Sequence, residues 1–361
     1  MAFREVTLTG TPYQRGLCYG RVCQKEISIS IQNYQELFLC RRQLSWSIAR
    51  RLARRFLPSI RELDASYVEE MQGIADGSGF ALDDILAINA RTELLHTPIA
   101  AEEADQECTA FSAVPPASAQ DTVLAGQTWD FARLQRDAVV IVRIPGDETH
   151  PSLLFFPEAG MIGGKGMNSA GLSLTLNALR TGAYDVGLPI HIRMRKILEC
   201  TTLHEAYAHA IHTPIPAAAN LILTHRDGIS LGLELDPTGV DVLLPDNGVL
   251  VHTNHFIGPR LGPAHGHAAS GSTYIRLQRA RQLFCGKPDI TVETAKAAFR
   301  DHKGYPTSIC SHPTGAADAP DISQNATNFG LIMDLTHGFA LLATGNPCES
   351  PYEILSVEHT A

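Results

Sequence analysis

The period of the apolar residues changes at Cys108, and that change limits the folds open to this chain. Ahead of it the pattern is helical. Leu63, Tyr67, Met71 and Ile74 recur at spacings of four, four and three, until "GSG" from Gly77 closes the run. "ALDDILAINARTELL" restarts it, with Asp83 or Asp84 placed to cap and Ile85, Leu86, Ile88 and Leu95 forming the apolar stripe. After Cys108 come the short β-rich runs "DTVLAGQTWDF", "AVVIVRI", "SLLFF" and "GLSLTLNAL", separated by Gly, Pro and Asp. In the last, Leu172, Leu174 and Leu176 alternate with Ser173, Thr175 and Asn177, which predicts one apolar and one polar face. Helices are predicted at "HIRMRKILEC", "LHEAYAHAI", "TYIRLQRARQLF" and "VETAKAAFRD", and further strands at "NLILTH", "ISLGLEL", "VDVLLP", "GVLVHTNH", "FGLIMDL" and "FALLAT". Hairpin-like strands interrupted by blocks of helices predict a layered α+β domain and not a strictly alternating parallel one.

Composition narrows the function. The net charge of −9 argues against non-specific nucleic-acid binding, which needs cations to replace phosphate counterions. One basic cluster, "CRRQLSWSIARRLARRF", reads as an amphipathic helix with a solvated cationic face. No apolar run approaches the roughly 18 to 20 residues of a membrane span. "MAFREVTLTG" lacks the basic start and apolar region of a secretory signal, so a cytoplasmic protein is expected. The eight cysteines are widely spaced and form no CxxC pair, which suggests reduced thiols, with neither a disulfide framework nor a zinc site.

Several chemistries lack their motifs. Among 15 histidines, His204, His209 and His212 do not have HExxH spacing. His252, His255, His265 and His267 cluster better but bring no cysteine or carboxylate pattern, so no metal is expected. There is no G-x-S-x-G elbow, GxGxxG or P-loop, and no cofactor is expected. What remains is Cys108, which follows the acidic stretch "PIAAEEADQE" and opens the apolar run "CTAFSAV". It reads either as a buried structural thiol or as a nucleophile. If the bond from Glu107 is cut, Cys108 carries both a thiol and a free α-amine with an ordinary pKa near 8, a self-contained nucleophile and base.

A set of motifs runs through nearly the whole chain: "LTGTPYQRGLCYGRVCQKEI", "GIADGSGFALDDILAINARTEL", "ECTAF", "GQTWDF", "EAGMIGGKGMNSAGLSLTLNAL", "VHTNH", "YPTSIC" and "TGNPCE". In this order and spacing they resemble the acyl-coenzyme A:isopenicillin N (6-aminopenicillanic acid) acyltransferases, a branch of the N-terminal-nucleophile (Ntn) hydrolases. The resemblance implies a four-layer αββα sandwich made as a precursor that cuts itself before the cysteine. The fragments would be 1–107, mostly helical, and 108–361, catalytic, held together as one domain. It implies an enzyme forming a thioester on Cys108 and passing the acyl group, plausibly from acyl-coenzyme A as co-substrate, to a small amine. The alternatives are an amidohydrolase acting on N-acyl amino acids, peptides or β-lactam-type amides, and a binding protein of the same fold that never cleaves.

By the same resemblance, Asn254 in "HTNH" is the side-chain donor of the oxyanion hole and Asp130 in "TWDF" lies close to the nucleophile. Asn177, on the polar face of its strand, either lines the pocket or faces solvent. Two departures stand out. Relatives often carry glycine before the cysteine where this chain has Glu107, and often read "SICR" where this chain has "SICSHP". The arginine is thus replaced by Ser311, with Ser308 and His312 as nearby polar groups that could substitute in the pocket and Cys310 expected in the core.

Overall fold

A computed structural model describes residues 2–95, 107–266, 270–313, 322 and 324–358. The first third is helical after one short strand, β1 (Arg4–Thr7): α1 (Pro12–Val22), α2 (Gln24–Arg42), α3 (Trp46–Ala53), α4 (Leu57–Leu63), α5 (Ala65–Ser78), α6 (Leu82–Asn89) and α7 (Arg91–Leu95). The basic cluster is two helices and not one. Gln43 takes a left-handed conformation (φ 51°) that ends α2, and two of the cluster's arginines form ion pairs, Arg50 with Asp83 and Asp84 and Arg54 with Asp83. α5 ends on Gly79, and the Asp84 carboxylate accepts the Ala81 N–H at 2.9 Å to start α6.

α1 and α5 touch backbone to backbone. A methyl group at Gly16 would lie 1.9 Å from the Glu70 carbonyl oxygen, and one at Gly73 would lie 2.2 Å from that of Tyr13. Only glycine allows this approach.

Two sheets follow. The first contains β1, β4 (Val140–Ile144), β5 (Leu153–Phe156), β6 (Lys165–Asn168), β7 (Leu172–Ala178), β8 (Ala219–His225), β9 (Ile229–Asp236) and β10 (Gly239–Leu243), in that spatial order. Only the β1–β4 pair is parallel. The second has the order β11 (Val249–His252), β2 (Glu107–Ala113), β3 (Leu124–Ala132), β12 (Asn325–Asp334), β13 (Phe339–Thr344), β14 (Tyr352–Ser356), antiparallel throughout. α8 (Ile190–Leu198) and α9 (Leu203–Ile211) cover the first sheet, with Arg195 of α8 paired to Glu70 of α5 beyond it. Past the short α10 (Leu261–His265), α11 (Ser272–Phe284) and α12 (Val292–Phe299) cover the second, where Phe284 stacks on Phe111 and Phe299 meets it edge-on. The layers are α, β, β, α.

The two sheets meet through polar residues as well as apolar ones. Ser112 and Ser230 share a hydrogen bond at 2.7 Å across the interface, and the Leu176 N–H donates to Gln127 Oε1 at 2.7 Å. The polar face of β7 is therefore the inner face: Ser173, Thr175 and Asn177 are fully buried, while Leu172, Leu174 and Leu176 pack into the main core. Asn177 does not face solvent. None of the eight cysteines forms a disulfide, and among the described residues no helix is long and apolar enough to cross a membrane.

Candidate active site

Cys108 is the second residue of β2, in register with Trp129 of β3, and only 3% exposed. On its other side β11 pairs His252 with Ala110 and then stops. Continuing that register by two residues brings Asn254 opposite Cys108, and the side chain of Asn254 completes the ladder. Its Oδ1 accepts the Cys108 backbone N–H at 2.7 Å. The turn that frees Asn254 is held by Glu234, whose carboxylate meets His252 Nε2 at 2.8 Å and accepts the N–H groups of Ile257 and Gly258. Thr273, near the start of α11, accepts the Asn254 N–H at 2.8 Å.

A second donor reaches the same oxygen. Arg276 Nη2 donates to Asn254 Oδ1 at 3.0 Å, and Nη1 donates to the Cys108 carbonyl oxygen at 2.7 Å and to Thr109 Oγ1 at 3.2 Å. Asn177 Nδ2 also donates to the Cys108 carbonyl oxygen, at 3.2 Å, while its own Oδ1 accepts from Asn220 at 3.0 Å. The backbone of the nucleophile is thus held at its nitrogen by the half-buried Asn254 and at its carbonyl by the buried Arg276 and Asn177. Asn254 turns an acceptor toward Cys108, and its Nδ2 donates to the Ala178 carbonyl at 3.0 Å. The donor role expected of it in an oxyanion hole is not the contact it makes here.

Three ionisable groups surround the sulfur. Burial pushes the Cys108 thiol up to about 11, against the pull of the Lys165 and Arg276 charges. Burial raises Asp130 to about 8, opposed by Arg276 and by the Thr327 hydroxyl, which donates to Asp130 Oδ1 at 2.6 Å. Burial lowers Lys165, on β6, to about 8, and its ammonium lies 4.5 Å from the centroid of the Trp129 ring. Two cations and a carboxyl group share a buried site, where charges interact more strongly than at the surface.

Glu107 is buried in β2, in register with Asp130. Ser272 Oγ donates to its carboxylate and Arg276 Nη2 lies 3.9 Å away, so this charged residue has partners of its own. Ser311, in the place of the family arginine, is buried, and its N–H donates to Thr327 Oγ1 at 2.8 Å. The buried cations at this site are Arg276 and Lys165.

Ser308 and His312 are committed elsewhere. Ser308 Oγ donates to the Cys310 carbonyl at 2.6 Å, and His312 faces His302, Cys310 and Cys348. The histidines around "HTNH" have their own partners: His252 has Glu234, His255 has Thr273, and His265 lies 3.3 Å from Asp236, while His267 is outside the described residues.

Sequence reasoning passed over Arg276 and Lys165. The signal for Arg276 was present: it falls on the apolar stripe of α11 with Leu277, Ala280 and Phe284, a place where an arginine is buried only with partners. Lys165 sits among glycines in "GGKGMN", where no periodicity marks it.

Four layers with two central, mostly antiparallel sheets and a cysteine near the start of a strand form the αββα sandwich that the sequence resemblance implies. The chain belongs to the acyl-coenzyme A:6-aminopenicillanic acid acyl-transferase family, which it matches over residues 118–319. It is 30% identical over 350 residues to the "Acyl-coenzyme A:6-aminopenicillanic-acid-acyltransferase 40 kDa form" of Emericella nidulans, spanning 95% of this chain and 93% of that one. Among solved structures it is similar to a Caenorhabditis elegans N-acylethanolamine-hydrolyzing acid amidase ortholog (TM-score 0.45, 16% identity, 63% of this chain and 93% of that one). It is also similar to a penicillin V acylase from Agrobacterium tumefaciens (TM-score 0.45, 14% identity, 70% and 89%). Membership of that family makes the chain an enzyme of the acyltransferase type with small-molecule substrates.

Proposed function

We propose that the protein is a self-processing cysteine N-acyltransferase. The observation that carries this reading is the grip on the Cys108 backbone: its nitrogen on Asn254 Oδ1, its carbonyl on the buried side chains of Arg276 and Asn177. A structural thiol needs no such arrangement. A residue whose nitrogen must become a base, while its sulfur stays in place, does.

In the first step Cys108 Sγ attacks the Glu107 carbonyl carbon. A C–S bond forms, the Glu107–Cys108 C–N bond breaks, and the thiol proton passes to the departing nitrogen. Water then hydrolyses the thioester, leaving the Glu107 carboxylate on residues 1–107 and a free amine on 108–361. The two pieces stay bound as one unit. In turnover the amine takes the thiol proton, sulfur attacks an acyl thioester such as acyl-coenzyme A, and the donor thiol leaves with that proton. An amine attacks the acyl-enzyme, forms the amide and restores the thiol. In this reading Asp130 and Asn254 hold the new ammonium. Asn177 and Arg276 hold the Cys108 carbonyl oxygen and so orient the nucleophile for both steps.

Transfer is preferred to hydrolysis on the strength of the 30% identical relative, which is named as an acyltransferase. The test is incubation of processed protein with an acyl thioester, with and without a small primary amine. Amide formed at the expense of free acid supports the proposal. Free acid alone, whatever the amine concentration, favours the amidohydrolase reading.

A further inference from the structure

A second cluster of reactive side chains lies away from Cys108. The loop 301–313 folds back on itself, with the Cys310 N–H on the Asp301 carbonyl and the His312 N–H on the Pro306 carbonyl. This brings His302, Cys310 and His312 to one side, and the turn after β13 brings Cys348 to meet them. The His302 and His312 Nε2 atoms are 3.1 Å apart, the two sulfurs 3.5 Å apart, and His312 Nε2 lies 3.5 Å from Cys348 Sγ and 3.8 Å from Cys310 Sγ. All four donor atoms lie within 4.8 Å of one another.

From this geometry we infer that His302, Cys310, His312 and Cys348 form a closed, structural binding site for one zinc ion. Zinc bonds of about 2.3 Å to sulfur and about 2.0–2.1 Å to nitrogen, directed to the corners of a tetrahedron, give edges of about 3.8 Å for S–S, about 3.6 Å for S–N and about 3.3 Å for N–N. Four of the six edges, N–N, S–S and the two from His312 to the sulfurs, fall within a few tenths of an ångström of these, and the two from His302 to the sulfurs lie within 4.8 Å. Two thiolates with two imidazoles in a tetrahedron select zinc among divalent ions. Four protein ligands leave no open position for substrate or water, so the site is structural. An outer shell is present as well: Asn346 Nδ2 donates to Cys310 Sγ at 3.7 Å, and the Cys348 backbone N–H faces the same sulfur.

The position of the site gives it a role. Ser311 lies between the ligands Cys310 and His312. Its N–H donates to Thr327 Oγ1, and that hydroxyl donates to Asp130 Oδ1. Zinc there fixes the loop that positions Thr327, and through it the carboxyl beside the nucleophile. The sequence hid the site because its ligands have the spacing H-x7-C-x-H-x35-C, unlike the paired motifs of familiar zinc folds.

The test is elemental analysis of the full-length chain, isolated under reducing conditions, with thiol counting before and after a chelator. The expected result is close to one zinc per chain, with Cys310 and Cys348 unreactive until the chelator removes it. His302 is exposed, so a folded His302→Ala chain is the informative variant. Its zinc affinity falls by more than the roughly 10–100-fold typical of losing an outer-shell partner, with an unchanged circular dichroism spectrum. The inference is overturned if folded wild-type chain holds almost no zinc and takes up none from added zinc sulfate. It is equally overturned if a Cys310→Ser/Cys348→Ser chain retains a full equivalent, or if the two sulfurs are joined as a disulfide in freshly isolated protein.

Discussion

Asp130→Asn, made in a Cys108→Ala chain that stays uncut, tests the electrostatics of the site before any α-amine exists. Burial holds the Asp130 carboxyl at about 8 in place of its ordinary 3.8, so across that window the folded chain keeps a proton the unfolded chain has lost. A raised acid pKa means stability that is full below pH 4 and declines as pH rises through 8. The slope is about 1.4 kcal/mol per pH unit, and the whole window is worth on the order of 5 kcal/mol, comparable to the net stability of a domain. Other groups contribute to the total. Glu93, raised to about 7 by burial, acts in the same direction, His191, lowered by burial, acts oppositely, and Lys165, lowered to about 8, acts above that pH. The difference between the Asp130 and Asp130→Asn chains removes these. Urea unfolding followed by tryptophan fluorescence, from pH 5 to 7, is expected to show the gap changing by about 1.4 kcal/mol per unit in favour of Asp130→Asn. Parallel pH profiles for the two chains would refute the placement of a protonated carboxyl beside the nucleophile.

Arg276→Met removes the buried cation beside the Glu107 carboxylate and the shorter of the two hydrogen bonds to the Cys108 carbonyl. A loss of about 3–5 kcal/mol in unfolding free energy and a self-cleavage rate at least tenfold slower on a gel time course are expected. Arg276→Lys is expected not to rescue cleavage, since one ammonium cannot span the three acceptors the guanidinium reaches. Lys165→Met removes a cation that favours the Cys108 thiolate, so alkylation of Cys108 by iodoacetamide at pH 8 is expected to slow several-fold. Gly73→Ala tests the α1–α5 contact. Alanine's helix propensity favours it by about 1 kcal/mol, but a methyl 2.2 Å from the Tyr13 carbonyl oxygen forces the helices apart. That overpacking costs about 1–3 kcal/mol, so a net fall in melting temperature is expected.

Much of this architecture was legible in the sequence because burial imposes its period on the apolar residues. The long helices α5 and α11, the strands from β7 to β11, and the switch from helix to sheet at Cys108 all carry that mark. What escaped reading depends on contacts between distant segments. The break at Gln43 has no glycine to announce it. β6 and β14 are short, the first set among glycines and the second exposed over much of its length. β7 shows correct alternation, yet which face meets water is decided by the second sheet, so Asn177 could be placed on a face but not at the inter-sheet boundary. The nucleophile came from a motif. Its immediate partners, Arg276 from α11, Lys165 from β6 and Glu107 from its own strand, come together only through tertiary packing.

Intact-mass measurement of freshly isolated protein, briefly exposed to an acyl thioester and quenched in acid, tests the chemistry at Cys108 most directly. The account predicts two species, residues 1–107 and residues 108–361, with the acyl increment on the second and absent from a Cys108→Ala chain, which remains whole. A single 361-residue species that turns over the thioester at full rate, or an increment that persists without the sulfur of Cys108, would contradict it.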